Sequence, residues 1–142
     1  MRSATEVVLY WDTSAVLAAL FRDAHSVAAH RWAQRPGLHL LSSLAWAEAH
    51  AVIGRASRER ALPPVLLTAA RDVLERGPWR RVRASPDWAL VRTLSTRWPL
   101  RGADLWHLAT AKTLQADLPE VRVLSFDAQL TAAAKAEGLG LG

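Results

Sequence analysis

The sequence predicts an α/β domain in which a parallel β-sheet of four to five strands carries helices on both faces. Short apolar runs alternate along the chain with helical segments, which is typical of parallel strands joined by right-handed crossovers. The first run, residues 7–11, reads VVLYW without alternation of polar and apolar residues, as expected of a strand covered on both faces. Aspartates directly follow the runs at 7–11 and 121–126, at junctions where parallel sheets bind ligands.

Local signals place each element. Strands are predicted at residues 7–11, 38–41, 79–83 and 121–126, and helices at residues 14–21, 24–34, 44–58, 65–75, 86–97, 105–114 and 128–137. Pro36 and Gly37 end the second helix, and Gly77 and Pro78 end the fourth. Ser42 and Ser43 are natural N-caps for the third helix. The tail, residues 139–142, could add a short edge strand.

One domain spanning residues 1–142 is the simplest organisation for a chain of this length. The sequence contains no cysteine, which excludes disulfide bonds and thiolate metal sites. No apolar run is long enough to cross a membrane. The short run that ends at Asp12 does not resemble a signal peptide. We therefore expect a soluble, cytoplasmic protein without membrane contact.

The charge balance favours a polyanionic partner such as nucleic acid. Lys and Arg number 18 against 13 Asp and Glu, a net charge of +5, and such an excess attracts polyanions. The cluster of Arg80, Arg81 and Arg83, with Arg76 nearby, is the best candidate for contacts with a phosphate backbone. A solvated protein face and an arginine-rich composition caused by a GC-rich genome are the alternatives.

Asp12 and Asp127 share one local context, since each closes an apolar strand and opens a helix. Taken singly, each could be a helix N-cap, because aspartate is among the preferred capping residues. Two such junctions favour a functional role, since the carboxyl ends of neighbouring parallel strands meet at one edge of the sheet.

Glu48 lies inside the third predicted helix rather than at its end. Its neighbours three and four positions away are all apolar: Leu44, Ala45, Ala51 and Val52. The side chain is therefore predicted to point toward the core side. An ionised carboxylate is costly there unless it is paired or binds a metal ion. A salt bridge to an arginine is the alternative to a role in a site.

Asp104 stands near the start of the helix predicted at 105–114, where a favourable interaction with the helix dipole would explain it alone. It gains weight as the fourth acid that a parallel arrangement would bring to the same edge. Converging carboxylates raise one another's pKa, and a divalent cation relieves this repulsion. An all-oxygen ligand set suits Mg²⁺ or Mn²⁺, and phosphoryl hydrolysis is the chemistry that needs such a site.

Four segments together resemble the PIN-domain proteins and are most similar to the VapC-type toxins of bacterial and archaeal toxin-antitoxin pairs. The segments are YWDTSAVLAAL with Asp12, SSLAWAEAHAVI with Glu48, RGADLWHLATA with Asp104, and VLSFDAQLTAAAKAEGL with Asp127. The resemblance covers nearly the whole chain. It rests on the order and spacing of the segments, because no single one is specific.

This resemblance implies a parallel sheet with its first strand at the centre. It implies a Mg²⁺- or Mn²⁺-dependent endoribonuclease, the toxin of a type II toxin-antitoxin system, that hydrolyses RNA phosphodiester bonds. Asp12, Glu48, Asp104 and Asp127 would form the catalytic and metal-binding cluster, and Ser14 would support it. Family resemblance also implies a homodimer and a cognate antitoxin that inserts a segment near the active site.

Histidine and tryptophan give weaker signals. The five histidines contain no pair at the spacing of a zinc site. His107 stands one turn after Asp104 and could orient that carboxylate or meet a phosphate, although a polar position on the helix surface is the favoured interpretation. Trp11, Trp46 and Trp106 are expected in or beside the core. The remaining four tryptophans could line a dimer or antitoxin interface: Trp32, Trp79, Trp88 and Trp98.

Two other functions stay open. One is a non-catalytic interaction module with a PIN-like fold, although all four acids are present. The other is an aspartyl-phosphate phosphatase of the haloacid dehalogenase type, which also places its nucleophilic aspartate after the first strand. Those enzymes carry the sequence Asp-x-Asp at that junction, and the second Asp serves as acid and base. Here Ser14 stands at the third position, so the group that would transfer the proton is missing.

Overall fold

The computed structural model describes residues 6–142, in which strands alternate with helices. The strands are β1 (Val7–Trp11), β2 (Gly37–Ser42), β3 (Trp79–Val82) and β4 (Arg122–Leu124). The helices are α1 (Thr13–Leu20), α2 (Ser26–Ala33), α3 (Ser43–Arg58), α4 (Pro64–Arg76), α5 (Trp88–Arg97), α6 (Gly102–Gln115) and α7 (Ala128–Ala136). The assignment of residues 1–142 to one domain stays a prediction, and residues 1–5 of it lie outside the described part.

The strands form one sheet in the order β3-β2-β1-β4, and every neighbouring pair is parallel. Trp11 at the end of β1 pairs with Leu41 of β2 on one side and with Leu124 of β4 on the other. The predicted α/β class with a four-stranded parallel sheet is therefore confirmed, and the first strand is central. Its carboxyl end lies between those of β2 and β4, at the edge where α1, α3 and α7 begin.

The core lies in two layers, one on each face of the sheet. Leu9 and Trp11 of β1 face a layer that includes residues of α1 to α4. Val8 and Tyr10 face the other layer, which includes residues of α5, α6 and α7. All four of these β1 side chains are buried, so the absence of a polar alternation in this strand follows from its cover on both faces.

The C-terminal tail differs from the prediction. Residues 139–142 form no strand in the described part of the chain; a single backbone bond of 2.8 Å runs from Val123 N to the carbonyl of Leu139. The N–H of Leu139 donates instead to the carbonyl of Ala134 and so satisfies the end of α7. This donor is therefore not free for a strand ladder.

Helix boundaries follow the capping side chains. Ser42 accepts a hydrogen bond from Ala45 N and is the N-cap of α3, as predicted. α6 begins at Gly102, earlier than predicted, so Asp104 lies within its first turn. Among the helices that the structure describes, none is both long and apolar enough to cross a membrane.

Candidate active site

Asp12 lies directly after the central strand and is almost completely buried, with 1% of its surface exposed. Its Oδ1 accepts hydrogen bonds from Ala15 N at 2.9 Å and from Ser14 Oγ at 2.7 Å, and its Oδ2 accepts one from Ser125 Oγ at 2.6 Å. A carboxylate has about four lone-pair positions. One position on Oδ2 therefore accepts no hydrogen bond from residues 6–142.

The pKa of Asp12 is raised above its ordinary value. Burial is the main cause, and the negative charge of Asp104 adds to it. The hydrogen bonds from Ser125, Ala15 and Ser14 act in the opposite direction, because they stabilise the ionised form. Positive charge brought next to Asp12 would therefore relieve an unfavourable situation that the fold itself creates.

The turn after β4 is bonded to the turn after β1. Asp127 Oδ2 accepts a hydrogen bond from Leu130 N at 2.8 Å and caps α7, while Asp127 N donates to Ser125 Oγ at 3.0 Å. Ser14 Oγ accepts a 3.0 Å hydrogen bond from Phe126 N. Ser14 and Ser125 thus join the two strand-to-helix junctions and hold both aspartates at the same edge of the sheet.

Asp104 accepts no hydrogen bond from residues 6–142 and is partly buried in the first turn of α6. Burial raises its pKa, and the negative charges of Asp127 and Glu48 raise it further. Arg101 partly offsets this effect. Asp104 is therefore electrostatically coupled to the other three carboxylates, since its charge also raises the pKa of Asp12.

Glu48 is less buried than its apolar neighbours on α3 predicted, because 39% of its side chain is exposed. Its Oε1 accepts a 2.6 Å hydrogen bond from Thr13 Oγ1 and lies 3.8 Å from Nε2 of His107. No arginine within residues 6–142 forms an ion pair with it. The carboxylate is therefore partly exposed rather than buried in the core.

His107 contradicts the prediction of a polar surface position, since only 1% of its surface is exposed. Its Nδ1 lies 2.6 Å from the hydroxyl of Tyr10, and its Nε2 lies 3.1 Å from Thr13 Oγ1. Burial lowers the pKa of His107 to about 4, so the imidazole is neutral at pH 7. The sequence LWHLA carried the signal, because it places this histidine among apolar residues.

Thr13 and Ser125 are the two site residues to which the sequence assigned no role. Thr13 bonds to Glu48, and Ser125 bonds to Asp12. Ser125 stands two residues before Asp127, just as Ser14 stands two residues after Asp12. That spacing of a hydroxyl from a junction aspartate is the available signal, but only the pairing of β1 with β4 brings Ser125 to Asp12.

The donors at this edge of the sheet are carboxylate and hydroxyl oxygens. Within the range 6–142, no three His, Asp or Glu side chains are grouped closely enough to form a ready metal site. Mg²⁺ nevertheless keeps several water ligands and often uses only one or two carboxylates directly. The buried carboxylate of Asp12, whose pKa the charge of Asp104 raises, and the carboxylate of Asp104, which accepts no hydrogen bond from residues 6–142, fit such an ion.

The arginine cluster on β3 lies beside this edge. Arg81 is exposed, with its guanidinium 4.6 Å from the ring centroid of Trp46 and 4.0 Å from a carboxylate oxygen of Glu75. Arg80 and Arg83 are exposed and form no ion pair with other described residues. Arg76 pairs with Asp72 on its own helix at 3.3 Å. All four arginines of the cluster are thus exposed, and Arg81 lies near the carboxyl end of β3, two strands from Trp11.

The four tryptophans predicted at an interface differ in exposure. Trp32 and Trp79 pack against the first core layer, and Trp98 packs against the second. Trp98 Nε1 also donates to Glu137 at 2.9 Å. Trp88, at the start of α5, is 90% exposed. Trp88 is therefore the one of these four whose ring is available to a partner.

Comparisons with known proteins agree with this architecture. The family model of the PIN domain matches residues 9–136. The crystal structure of Mycobacterium tuberculosis VapC20, described as a sarcin-ricin loop cleaving toxin, superposes with a TM-score of 0.59 at 20% identity, covering 88% of this chain and 94% of VapC20. PAE2754 from Pyrobaculum aerophilum gives a TM-score of 0.60 at 15% identity, covering 93% of this chain and 84% of PAE2754.

At these identities the two structures establish similarity of fold, and no curated protein sequence matches the chain. The family model, by contrast, covers most of the sequence. It includes all four junction and helix carboxylates: Asp12, Glu48, Asp104 and Asp127. The chain belongs to the PIN-domain family.

Proposed function

We propose that this protein is a Mg²⁺- or Mn²⁺-dependent endoribonuclease of the VapC toxin type. The observation that carries the proposal is that Ser14 and Ser125 join the Asp12 and Asp127 junctions at one edge of the parallel sheet. The charge of Asp104 also raises the pKa of Asp12. Membership of the PIN family and the fold shared with VapC20, described as a sarcin-ricin loop cleaving toxin, support it. The net charge of +5 suits a polyanionic substrate.

Four carboxylates would hold the ion: Asp12, Glu48, Asp104 and Asp127. A bound divalent cation supplies a water of lowered pKa and neutralises charge on the phosphate and on the leaving oxygen. Ser14 and Ser125 keep the Asp12 carboxylate in one orientation and favour its ionised form. The turns that cap α1 and α7 fix the other end of each aspartate, so the cluster is preorganised by backbone bonds.

The arginines of β3 are proposed to bind the RNA backbone beside the four carboxylates. Arg81 pairs in register with Leu41, which in turn pairs with Trp11. Two strand spacings, about 10 Å, therefore separate Arg81 from the residue before Asp12. The stacking of Arg81 on Trp46 presents a planar cation at a fixed place, which suits a phosphate or an unstacked base.

A cognate antitoxin and a homodimer are further proposals, and they rest on the resemblance to VapC-type toxins. For the dimer, Trp88 is the most exposed large apolar residue among residues 6–142, at 90%, followed by Val65 at 72% and Val27 at 65%. Sedimentation of the wild-type protein and of a Trp88→Glu variant tests this point. We expect a wild-type dimer and a weakened dimer in the variant; a wild-type monomer at micromolar concentration would exclude the homodimer.

RNA cleavage tests the proposed activity. Structured RNA is incubated with Mg²⁺ or Mn²⁺, with and without EDTA, and the RNA ends are sequenced. We expect cleavage that EDTA abolishes and that Asp12→Asn lowers by at least about 100-fold, because asparagine keeps the capping ability but removes the charge. Asp87→Asn is the matched control, since Asp87 caps α5 through Ala89 N and lies in an exposed position.

Cleavage that survives both chelation and the Asp12→Asn substitution would contradict the proposal. RNA binding without cleavage under every metal condition would favour the non-catalytic interaction module instead. A phosphoryl or BeF₃ adduct on Asp12 would favour the phosphatase.

A further inference from the structure

A chain of hydrogen bonds leads from the buried core to the partly exposed carboxylate of Glu48. The hydroxyl of Tyr10 lies 2.6 Å from His107 Nδ1, and Thr13 Oγ1 lies 3.1 Å from His107 Nε2. Thr13 Oγ1 then donates to Glu48 Oε1 at 2.6 Å. Tyr10 and His107 are buried, whereas Glu48 is partly exposed. The chain therefore connects the central strand, α1, α6 and α3 through side chains alone.

Counting donors and acceptors fixes the direction of each bond. An ionised carboxylate only accepts hydrogen bonds, so the single hydroxyl proton of Thr13 points to Glu48. Thr13 Oγ1 must then accept from His107, which requires a proton on Nε2. Burial favours the neutral imidazole over the charged one, and a neutral imidazole has one N–H group. With that proton on Nε2, Nδ1 accepts from the hydroxyl of Tyr10, 2.6 Å away.

We propose that His107 is a positioning residue. Its Nε2–H orients the Thr13 hydroxyl, and that hydroxyl holds the Glu48 carboxylate in place. His107 does not act on Glu48 directly, because 3.8 Å separates Nε2 from Oε1. Nor does the His107 ring reach solvent, since it is buried. The inference rests on the proposed function only where it treats Glu48 as a ligand for a divalent ion.

The alternative role for His107 is packing alone. Its ring makes edge contacts with Tyr10, at 5.6 Å between centroids, and with Trp106, at 5.7 Å. Packing would need the volume of the ring but neither a particular tautomer nor a hydroxyl at position 13. The two roles therefore differ in measurable ways.

The tautomer is the first test, and it uses the wild-type protein without metal. Nitrogen-15 NMR of the imidazole groups at pH 7 shows which ring nitrogen carries the proton, and the spectrum of His107→Gln assigns the signals. We expect the proton of His107 on Nε2. A proton on Nδ1 would overturn the proposal, because Thr13 could not then accept a hydrogen bond from this ring.

The second test measures the affinity for Mn²⁺ by calorimetry in three variants: His107→Leu, Thr13→Val and the double variant. Loss of a group that orients a metal ligand typically weakens metal affinity 10- to 100-fold. We expect about a tenfold loss in each single variant and no greater loss in the double variant, since both changes remove the same chain. His107→Gln, whose amide can still donate to Thr13, should restore most of the affinity.

The matched control is Thr96→Val on α5. The hydroxyl of Thr96 is exposed and donates to the carbonyl of Thr93 on the same helix, so its removal should leave Mn²⁺ affinity unchanged. Affinity in His107→Leu equal to that in the control would overturn the proposal, as would additive losses in the double variant. Thermal melts identify a variant that fails to fold. If His107→Leu fails to fold, Tyr10→Phe replaces it, because that change removes only one hydroxyl.

Failure of the proposed function gives a different result. A wild-type protein that does not bind Mn²⁺ refutes the metal site, while the tautomer of His107 still decides the hydrogen-bond chain. A wild-type protein that binds Mn²⁺ with the opposite tautomer keeps the metal site and refutes the role of His107.

Discussion

At the scale of single residues, Asp12 and Asp127 each serve a structural purpose and a proposed chemical one with the same carboxylate. One oxygen of each accepts the backbone N–H three residues on and caps the following helix. Capping fixes where the rest of the carboxylate points. A helix N-terminus also favours nearby negative charge, so the two roles support each other.

Ser125 is the residue whose removal should affect Asp12 most directly. Ser125→Ala leaves Oδ2 of a buried carboxylate without its donor, and a hydrogen bond to a charged group contributes about 1.5–3 kcal/mol. We expect a loss of about 2 kcal/mol in unfolding free energy at pH 7, measured with denaturant. Ser125→Thr keeps the hydroxyl and should lose less.

Ser85→Ala is the control, because Ser85 is exposed and such changes usually stay within about 0.5 kcal/mol. Equal stability of Ser125→Ala and Ser85→Ala would show that the bond to Asp12 contributes nothing.

The sequence predicted the four acids but not how each is held. Asp12 and Asp127 follow strands, and a strand-to-helix junction is visible in a linear pattern. The side chain of Glu48 is 39% exposed. The apolar residues three and four positions away on α3 do not indicate this exposure. The hydrogen-bond partners of His107 lie on β1 and α1, nearly 100 positions away, so its burial was not predictable from its own helix.

At the scale of secondary-structure elements, Glu137 joins three helices on the second face of the sheet. Its carboxylate accepts hydrogen bonds from Arg97 at 3.0 Å and from Trp98 at 2.9 Å, and lies 3.6 Å from Lys112. Only 7% of the side chain is exposed. Glu137, just after α7, therefore ties that helix to the end of α5 and to α6.

This contact makes stability depend on pH. Burial alone would raise the pKa of Glu137, but the hydrogen bonds from Trp98 and Arg97 and the charges of Arg97 and Lys112 outweigh it and lower the pKa. A carboxyl group whose pKa is lower in the folded state stabilises the protein above the unfolded value, about 4.3. That contribution is lost as the pH falls through the lower folded value.

We expect Glu137→Gln to unfold about 1 kcal/mol more easily than wild type at pH 7, and the difference to shrink at pH 3. Denaturant unfolding at the two pH values measures this. Glu59→Gln, at an exposed position after α3, serves as the control. A difference between Glu137→Gln and wild type that stays constant between pH 7 and pH 3 would contradict the assignment of the pH dependence to Glu137.

Every strand and helix predicted within residues 7–137 has a counterpart in the structure, because strand runs, caps and prolines are local signals. The tail was predicted less well. Its apolar and glycine residues suit an edge strand, but the N–H of Leu139 bonds to α7 and its side chain fills the second core layer. Competition between capping a helix and extending a sheet depends on tertiary packing, which a linear pattern does not contain.

At the scale of the whole molecule, the excess of positive charge should make RNA binding depend on salt. Each phosphate contact adds to the negative slope of the logarithm of affinity against the logarithm of salt concentration. In an Asp12→Asn background that prevents cleavage, we expect Arg81→Gln to weaken binding and to reduce that slope by about one contact. Arg92→Gln, on α5 at the opposite face, should change neither. An unchanged slope in Arg81→Gln would remove β3 from the RNA-binding surface.

The central claim is that four carboxylates from β1–α1, α3, α6 and β4–α7 act as one site for a divalent cation. Calorimetric titration of Mn²⁺ into the wild-type protein and four single variants tests it most directly: Asp12→Asn, Glu48→Gln, Asp104→Asn and Asp127→Asn. We expect the wild type to bind, each of the four variants to bind at least about tenfold more weakly, and Asp87→Asn to bind like the wild type. A wild-type protein that does not bind Mn²⁺, or four variants that bind it as tightly as the wild type, would contradict the claim.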